Sequence, residues 1–86
     1  MIKIEVFTTP SCRYCPYALD VVMRASREFD NVIVEEIDVS TKEGKKRARD
    51  LNVLNTPTIA INGTIYFSGV PSKKAVVKAI SDISGN

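Results

Sequence analysis

Cys12-Arg13-Tyr14-Cys15 is the stretch that decides the fold, because it joins a strand-like segment to a helix-like segment and contains both cysteines of the chain. The segment before it, Ile2-Lys3-Ile4-Glu5-Val6-Phe7, alternates in character and runs into turn residues, which predicts a strand followed by a turn. Apolar residues then recur at helical spacing, so we predict a helix from about Cys12 to Phe29. A Cys-x-x-Cys pair that opens a helix after a strand is typical of a dithiol redox site. At a helix start, free backbone N–H groups and the helix dipole favour a thiolate.

Length and charge exclude several classes of protein. The 86 residues predict one domain, residues 1–86, near the small end of chains that fold alone. Twelve basic and ten acidic side chains give a net charge of +2, too small an excess to predict nucleic-acid binding. Histidine is absent, which excludes imidazole as a base, nucleophile or metal ligand. Met1 leads directly into the first strand, without a signal segment or a membrane-spanning run, so we expect a cytoplasmic protein.

The expected compartment bears on the two cysteines. In a reducing compartment a pair of cysteines is more often functional than structural. The alternative is a structural disulfide or two inert thiols, but a disulfide between cysteines three positions apart closes too short a loop to stabilise the fold much. We therefore favour the redox interpretation.

The middle of the chain predicts a second strand and a second helix. Residues 32–39 are rich in β-branched side chains and predict the strand. The segment Ser40-Thr41-Lys42-Glu43 has the form of a capping box, with its serine as the N-cap. The helix should run to about Leu51, with Asn52 in the left-handed position after its last turn. An interior Gly44 weakens this prediction.

The last third of the chain predicts a hairpin and a helix. Asn62-Gly63, between two β-branched segments, is the strongest short hairpin signal. Pro71-Ser72 introduces the last amphipathic helix. The order βαβαββα then predicts an α/β fold with parallel first and second strands and an antiparallel closing hairpin. The result is a four-stranded mixed sheet flanked by helices.

The order of elements, the Cys-x-x-Cys-Pro form at Cys12 to Pro16 and Thr56-Pro57-Thr58 before the hairpin resemble the thioredoxin/glutaredoxin superfamily. The resemblance covers nearly the whole chain and is closest to the small archaeal thioredoxin-like proteins, which are glutaredoxin-sized. It implies a thioredoxin fold and thiol–disulfide exchange. Fold membership alone does not establish chemistry, so the functional prediction depends on the intact dithiol.

Each cysteine has a predicted role. Cys12, at the exposed helix terminus, should be the attacking thiolate, because a helix end and a neighbouring cation such as Arg13 lower the pKa of a thiol. Cys15, one turn later, should be the resolving thiol. Arg13 and Tyr14 are candidate substrate-binding residues. The alternatives are a solvated charge at a helix start for Arg13 and an exposed turn aromatic for Tyr14. Tyr17 is expected to serve packing rather than chemistry.

Three further site residues follow from the resemblance. It implies that the Thr56–Pro57 bond is cis and that Pro57 lies against the dithiol. Thr56 would then offer backbone N–H and C=O groups to an extended substrate, a form of strand addition. Gly69 resembles the glycine by which thioredoxins let a substrate backbone approach the site, and a simple turn glycine is the alternative.

Two departures from the family pattern limit these expectations. Thioredoxins of bacteria have a buried acid six positions before the first cysteine, and here that position is Val6. Glu5 points to the opposite strand face; it could relay protons, but we prefer a partly exposed structural carboxylate paired with Lys3 or Arg13. The segment 68–73 has one glycine and no acid, unlike the glutathione-binding segment of glutaredoxins, so we expect protein disulfides as substrates.

A basic cluster in the predicted second helix allows three interpretations. Its members are Lys42, Lys45, Lys46, Arg47 and Arg49. A solvated helix face is preferred, because mixed charges are common on exposed helices. Docking of an acidic partner such as a reductase comes second, and nucleic-acid binding is a distant third.

The sequence thus predicts a monomeric thiol–disulfide oxidoreductase that reduces cytosolic protein disulfides without a cofactor of its own and receives electrons from a separate reductase. The alternatives are a glutaredoxin-like, glutathione-dependent reductase and an iron–sulfur or metal carrier using the same cysteines. A zinc site needs four ligands, which two cysteines supply only in a dimer. No nucleic-acid or membrane partner is expected.

Overall fold

Seven elements follow one another in the predicted order βαβαββα. The computed structural model describes residues 1–85; Asn86, the last residue of the expected domain, lies outside the described residues. The elements are β1 (Ile2–Thr8), α1 (Cys15–Ser26), β2 (Val32–Asp38), α2 (Lys42–Leu51), β3 (Thr58–Ile61), β4 (Thr64–Ser68) and α3 (Lys73–Ile83). None of these three helices is long and apolar enough to cross a membrane.

The four strands form one mixed sheet in the order β2-β1-β3-β4. β1 and β2 are parallel, β1 and β3 antiparallel, and β3 and β4 antiparallel. The hairpin turns at Asn62-Gly63, where both residues have positive φ (51° and 81°), as a tight two-residue hairpin turn requires. A register shift next to Ile59 interrupts the β3–β4 pairing. The predicted α/β class, topology and strand directions are confirmed.

Each face of the sheet has its own hydrophobic core. Because strand residues alternate between faces, Ile4 and Val6 pack on one side and Phe7 on the other. The larger core lies under α1 and α3 and includes Ile2, Ile4, Val6, Ala18, Val22, Ala25, Ile59, Ile61, Val76, Ala79 and Ile80. The smaller core lies under α2 and contains Phe7, Ala48 and Ala60, with Ile37, Val39, Leu51 and Val53 around it.

The N-cap of α2 is Thr41, not the predicted Ser40. The Thr41 Oγ1 accepts the backbone N–H of Gly44 at 2.9 Å. The Ser40 side chain is turned towards β2 instead: its hydroxyl and its backbone N–H both donate to the carboxylate of Asp38, at 2.6 and 2.8 Å. These two hydrogen bonds lower the pKa of Asp38 below its ordinary value of 3.8. The other end of α2 is as predicted, with Asn52 at φ 60°.

The packing of α2 on the sheet explains why position 44 is a glycine, although glycine has a low helix propensity. A Cβ at this position would overlap the backbone carbonyl oxygen of Asp38 and lie 2.9 Å from the Thr41 Oγ1. The glycine therefore lets the first turn of α2 pack directly on the end of β2. The residue that weakens the helix locally is required by the way the helix meets the sheet.

Candidate active site

The dithiol lies where β1 ends and α1 begins. A disulfide joins Cys12 and Cys15, whose Cα atoms are 5.5 Å apart. The backbone N–H of Cys12 donates to the carbonyl oxygen of Thr9 at 3.2 Å, so Cys12 is held in the turn that precedes the helix. The helix itself starts at Cys15, with Tyr14 as N-cap and Pro16 in its first turn.

The predicted helix start at Cys12 was therefore three residues too early. Proline fixes its own φ and has no N–H, which suits the first turn of a helix and favours a start at that point. Tyr14 contributes only its carbonyl oxygen to the cap, which accepts the N–H groups of Tyr17 and Ala18 at 3.1 Å. Cys12 stands ahead of the helix N-terminus rather than within its first turn.

The two cysteines differ in burial. Cys15 is only 3% exposed, whereas Cys12 is partly exposed at the surface of the turn. An incoming sulfur atom can therefore approach Cys12 from solvent, whereas Cys15 exposes almost no surface to it.

The structure brings Pro57 and Gly69 together. The Thr56–Pro57 peptide bond is cis, as the resemblance implies, and Pro57 is buried. The backbone N–H of Gly69 donates to the Pro57 carbonyl oxygen at 2.8 Å. Gly69 has φ +88°, and the space where a Cβ would stand is open. Within the described chain, Thr56 makes no hydrogen bond through its own backbone N–H or C=O.

An aromatic groove of about 580 Å³ is lined by residues of the dithiol turn, of α1 and of the segment after β4. Its members are Arg13, Tyr14, Tyr17, Val21 and Val70, and we call it the tyrosine groove. Tyr14 is 58% and Tyr17 63% exposed, so Tyr17 lies at the surface of the groove and not in the packing role predicted for it. Its neighbour Ala18 occupies the inward position of α1 instead, with Val22 and Ala25. No carboxylate of residues 1–85 forms an ion pair with Arg13.

A smaller groove of about 210 Å³ lies between the end of β1, α2 and the loop that precedes Pro57. It is lined by Thr9, Val39, Ala48, Val53, Leu54, Asn55 and Thr56, and we call it the Leu54 groove. Leu54 is 93% exposed. Sequence reasoning missed this residue, although an apolar side chain in the short segment between α2 and Thr56 was a visible signal.

The sequence predicts that Glu5 is partly exposed and pairs with Lys3 or Arg13, and both parts of this prediction were wrong. It is 2% exposed, and its two carboxylate oxygens accept hydrogen bonds from Arg47, each at 2.8 Å. Lys3 pairs with Glu35 instead, at 3.0 Å. The hydrogen bond with Glu5 raises the pKa of Arg47 above its usual value. Arg47 therefore does not belong to the solvated basic face of α2, and Glu5 has a structural partner.

The described part of the chain contains no candidate metal site. No cluster of three or more histidine, cysteine, aspartate or glutamate side chains is arranged to hold a metal ion among residues 1–85.

Comparisons with known proteins agree with this geometry. The family model described as "Thioredoxin domain" matches residues 2–81. A probable thioredoxin of Methanothermobacter marburgensis is 45% identical over 83 residues, which is 95% of each chain. A thioredoxin of Methanocaldococcus jannaschii is 44% identical over 80 residues, 92% of each chain.

Solved structures show the same fold. A protein disulfide oxidoreductase from Aeropyrum pernix superimposes with a TM-score of 0.81 and 31% identity, over 98% of this chain and 38% of its own. The chloroplastic thioredoxin z superimposes with a TM-score of 0.80 and 20% identity, over all of this chain and 80% of its own.

Proposed function

Because the chain belongs to the thioredoxin family and is a thiol–disulfide oxidoreductase, we propose that it reduces protein disulfides in the cytoplasm, with Cys12 as nucleophile and Cys15 as resolving thiol. It works as a monomer and is returned to the dithiol form by a separate electron-donating reductase. The names of its relatives favour neither the glutathione-dependent alternative nor the metal carrier.

The reaction has two exchanges. In the dithiol form, the Cys12 thiolate attacks one sulfur of the substrate disulfide, forms a mixed disulfide and expels the other substrate sulfur as a thiolate, which takes up a proton. Cys15 then loses its proton and attacks the Cys12 sulfur, so that the Cys12–Cys15 disulfide forms and the second substrate thiol leaves. Two electrons pass to the substrate, and the reductase later supplies two electrons and two protons to this chain.

The difference in burial between the cysteines carries the assignment of roles. The thiolate that meets the substrate must be reachable from solvent, and Cys12 is the partly exposed member of the pair. The resolving thiol must reach only its partner, and the 3% exposure of Cys15 keeps other disulfides away from it. Arg13, adjacent to Cys12 and without an ion pair inside residues 1–85, adds a positive charge that favours the thiolate.

The substrate lies across the loops that surround the dithiol. Thr56 offers backbone N–H and C=O groups that lack partners within the described chain, which suits pairing with an extended segment. The Pro57 carbonyl already accepts the N–H of Gly69, so of these two residues it is Thr56 whose backbone remains available. Gly69 leaves open space for the substrate backbone, and Tyr14 supplies an aromatic contact.

Turnover of a protein disulfide with dithiothreitol as electron donor tests this proposal. The wild-type chain should accelerate the reduction, and Cys12→Ser should abolish the acceleration. Ser11→Ala, a change of similar size next to the nucleophile, should retain it. A wild-type rate no higher than that of dithiothreitol alone would contradict the proposal.

A further inference from the structure

Apart from Arg47, which pairs with Glu5, the charged side chains of α2 form two outward rows. With about 3.6 residues per turn, Gly44, Ala48 and Leu51 face the sheet, in agreement with their packing. One outward row holds Lys42, Lys45 and Arg49, and we call it the cationic stripe. The other row holds Glu43, Lys46 and Asp50. The stripe therefore concentrates positive charge on one flank of the helix.

The two rows differ in pairing as well as in sign. Lys46 forms an ion pair with Asp50 at 3.6 Å, and Arg47 is held by Glu5. Throughout residues 1–85, the three cations of the stripe form no ion pair. No carboxylate of the described residues therefore contacts these three cations directly.

The stripe lies on the flank of α2 that is closer to the dithiol loops. Ala48 lines the Leu54 groove together with Thr9 and Thr56. Going round the helix from Ala48 towards solvent, the next side chains are those of Lys45 and Arg49. Glu43 and Arg47, in contrast, line a different groove beside Glu35 in β2. The cationic stripe thus adjoins the Leu54 groove and not the carboxylates near β2.

The loops around the dithiol carry no negative charge. Residues 8–16, 53–57 and 67–71 contain one charged side chain, that of Arg13. A substrate lying across these loops therefore meets positive charge from Arg13 and, on the α2 side, from the stripe. Carboxylates on the substrate would be attracted, and ammonium groups repelled, before the sulfur atoms meet.

We infer that the Leu54 groove and the cationic stripe form a docking surface for acidic disulfide-containing polypeptides. The occupant presents carboxylates to Lys45 and Arg49 and an apolar side chain to Leu54, while its disulfide lies at Cys12. This inference rests on the proposed function, because it names the substrates of the same dithiol. The charge complementarity argues for this occupant: Lys45 and Arg49, which form no ion pair within residues 1–85, flank Ala48 on the surface of α2, and Ala48 lines the same groove as the 93% exposed Leu54.

Matched peptide substrates test the inference. Three cyclic disulfide peptides of one sequence carry glutamate, glutamine or lysine at the same flanking positions. Each is mixed with the pre-reduced chain in single-turnover reactions, and its rate is divided by its rate with 2-mercaptoethanol to remove differences in intrinsic reactivity. The glutamate peptide should react about tenfold faster than the lysine peptide at low salt, and added salt should remove most of this preference.

Two matched double variants locate the effect. Lys45→Glu with Arg49→Glu should lower the glutamate-to-lysine rate ratio several-fold. Arg27→Glu with Lys74→Glu makes the same change in net charge at the end of α1 and on α3, and should leave the ratio unchanged. A third variant, Leu54→Ser, tests the apolar contact with two glutamate peptides that carry either leucine or serine at one flanking position. It should lower the reduction rate of the leucine peptide more than that of the serine peptide.

The results separate this inference from the proposed function. Equal normalised rates for the three peptides, or a preference that the Arg27 and Lys74 control reduces as much as the stripe variant does, would overturn the docking surface and leave the reductase intact. Failure of the wild-type chain to reduce any of the peptides would overturn the reductase itself.

Discussion

Replacing Arg47 with methionine leaves the Glu5 carboxylate buried without its partner. Removing one member of a fully buried ion pair costs about 3–5 kcal/mol. The Arg47 side chain is 39% exposed, so water reaches one end of this pair, and we expect a smaller loss of about 2 kcal/mol in the free energy of unfolding. The opposite change, Glu5→Met, leaves a guanidinium that is already partly hydrated. Its cost should be that of a surface pair, about 0–1 kcal/mol.

The quantity to measure is the difference between the two single variants in the free energy of unfolding. Urea unfolding of the oxidised wild type, both single variants and the double variant at pH 7, followed by far-UV circular dichroism, gives the four free energies. In thermal unfolding, Arg47→Met should lower Tm by about 8–16 °C. The double variant should lie close to the wild type, because replacing both members of a buried pair by apolar side chains is often neutral. A larger loss for Glu5→Met than for Arg47→Met would refute the reasoning.

Three further predictions follow from the fold and the site. Gly44→Ala should destabilise the chain in urea, because overpacking against the Asp38 carbonyl costs about 1–3 kcal/mol and outweighs about 1 kcal/mol of helix propensity; a variant as stable as the wild type would contradict this. Asp38→Asn should lower the free energy of unfolding at neutral pH, and by progressively less below pH 3.8. A carboxylate whose pKa is lowered by folding stabilises the fold above its unfolded pKa. That contribution is lost as the pH falls through the folded pKa. A stability difference that stays constant with pH would refute the role of the Ser40 hydrogen bonds. Glu5→Gln should leave the rate of resolution by Cys15 unchanged, because Arg47 engages both carboxylate oxygens; a several-fold slower release from the mixed disulfide would establish Glu5 as a proton relay.

The element order was predictable because its signals are local. The alternation of β1, the β-branched run of β2 and the Asn62-Gly63 turn each identify an element from a few adjacent residues. The dithiol was predictable for the same reason, since both cysteines stand at one junction. The cis bond before Pro57 was different, because local sequence gives it only about a 5% chance, and the family resemblance supplied it.

What the sequence failed to predict depends on contacts between distant residues. Glu5 and Arg47 are 42 positions apart, and only the packing of α2 on the sheet brings them together. Ser40 matched the capping pattern, but its hydroxyl is turned to a strand residue, Asp38, and the helix begins one residue later with Thr41 as its cap. The need for Gly44 likewise arises where a helix meets a strand end, and no local propensity contains that information.

Trapping of the mixed disulfide tests the assignment of Cys12 as nucleophile most directly. Reduced Cys15→Ser and Cys12→Ser are each mixed with a disulfide peptide, quenched with acid and examined by intact mass and peptide mapping. The roles proposed here predict that Cys15→Ser accumulates the peptide on Cys12, and that Cys12→Ser acquires almost none because its remaining thiol is buried. Faster capture of the peptide on Cys15 than on Cys12 would contradict the proposed order of attack.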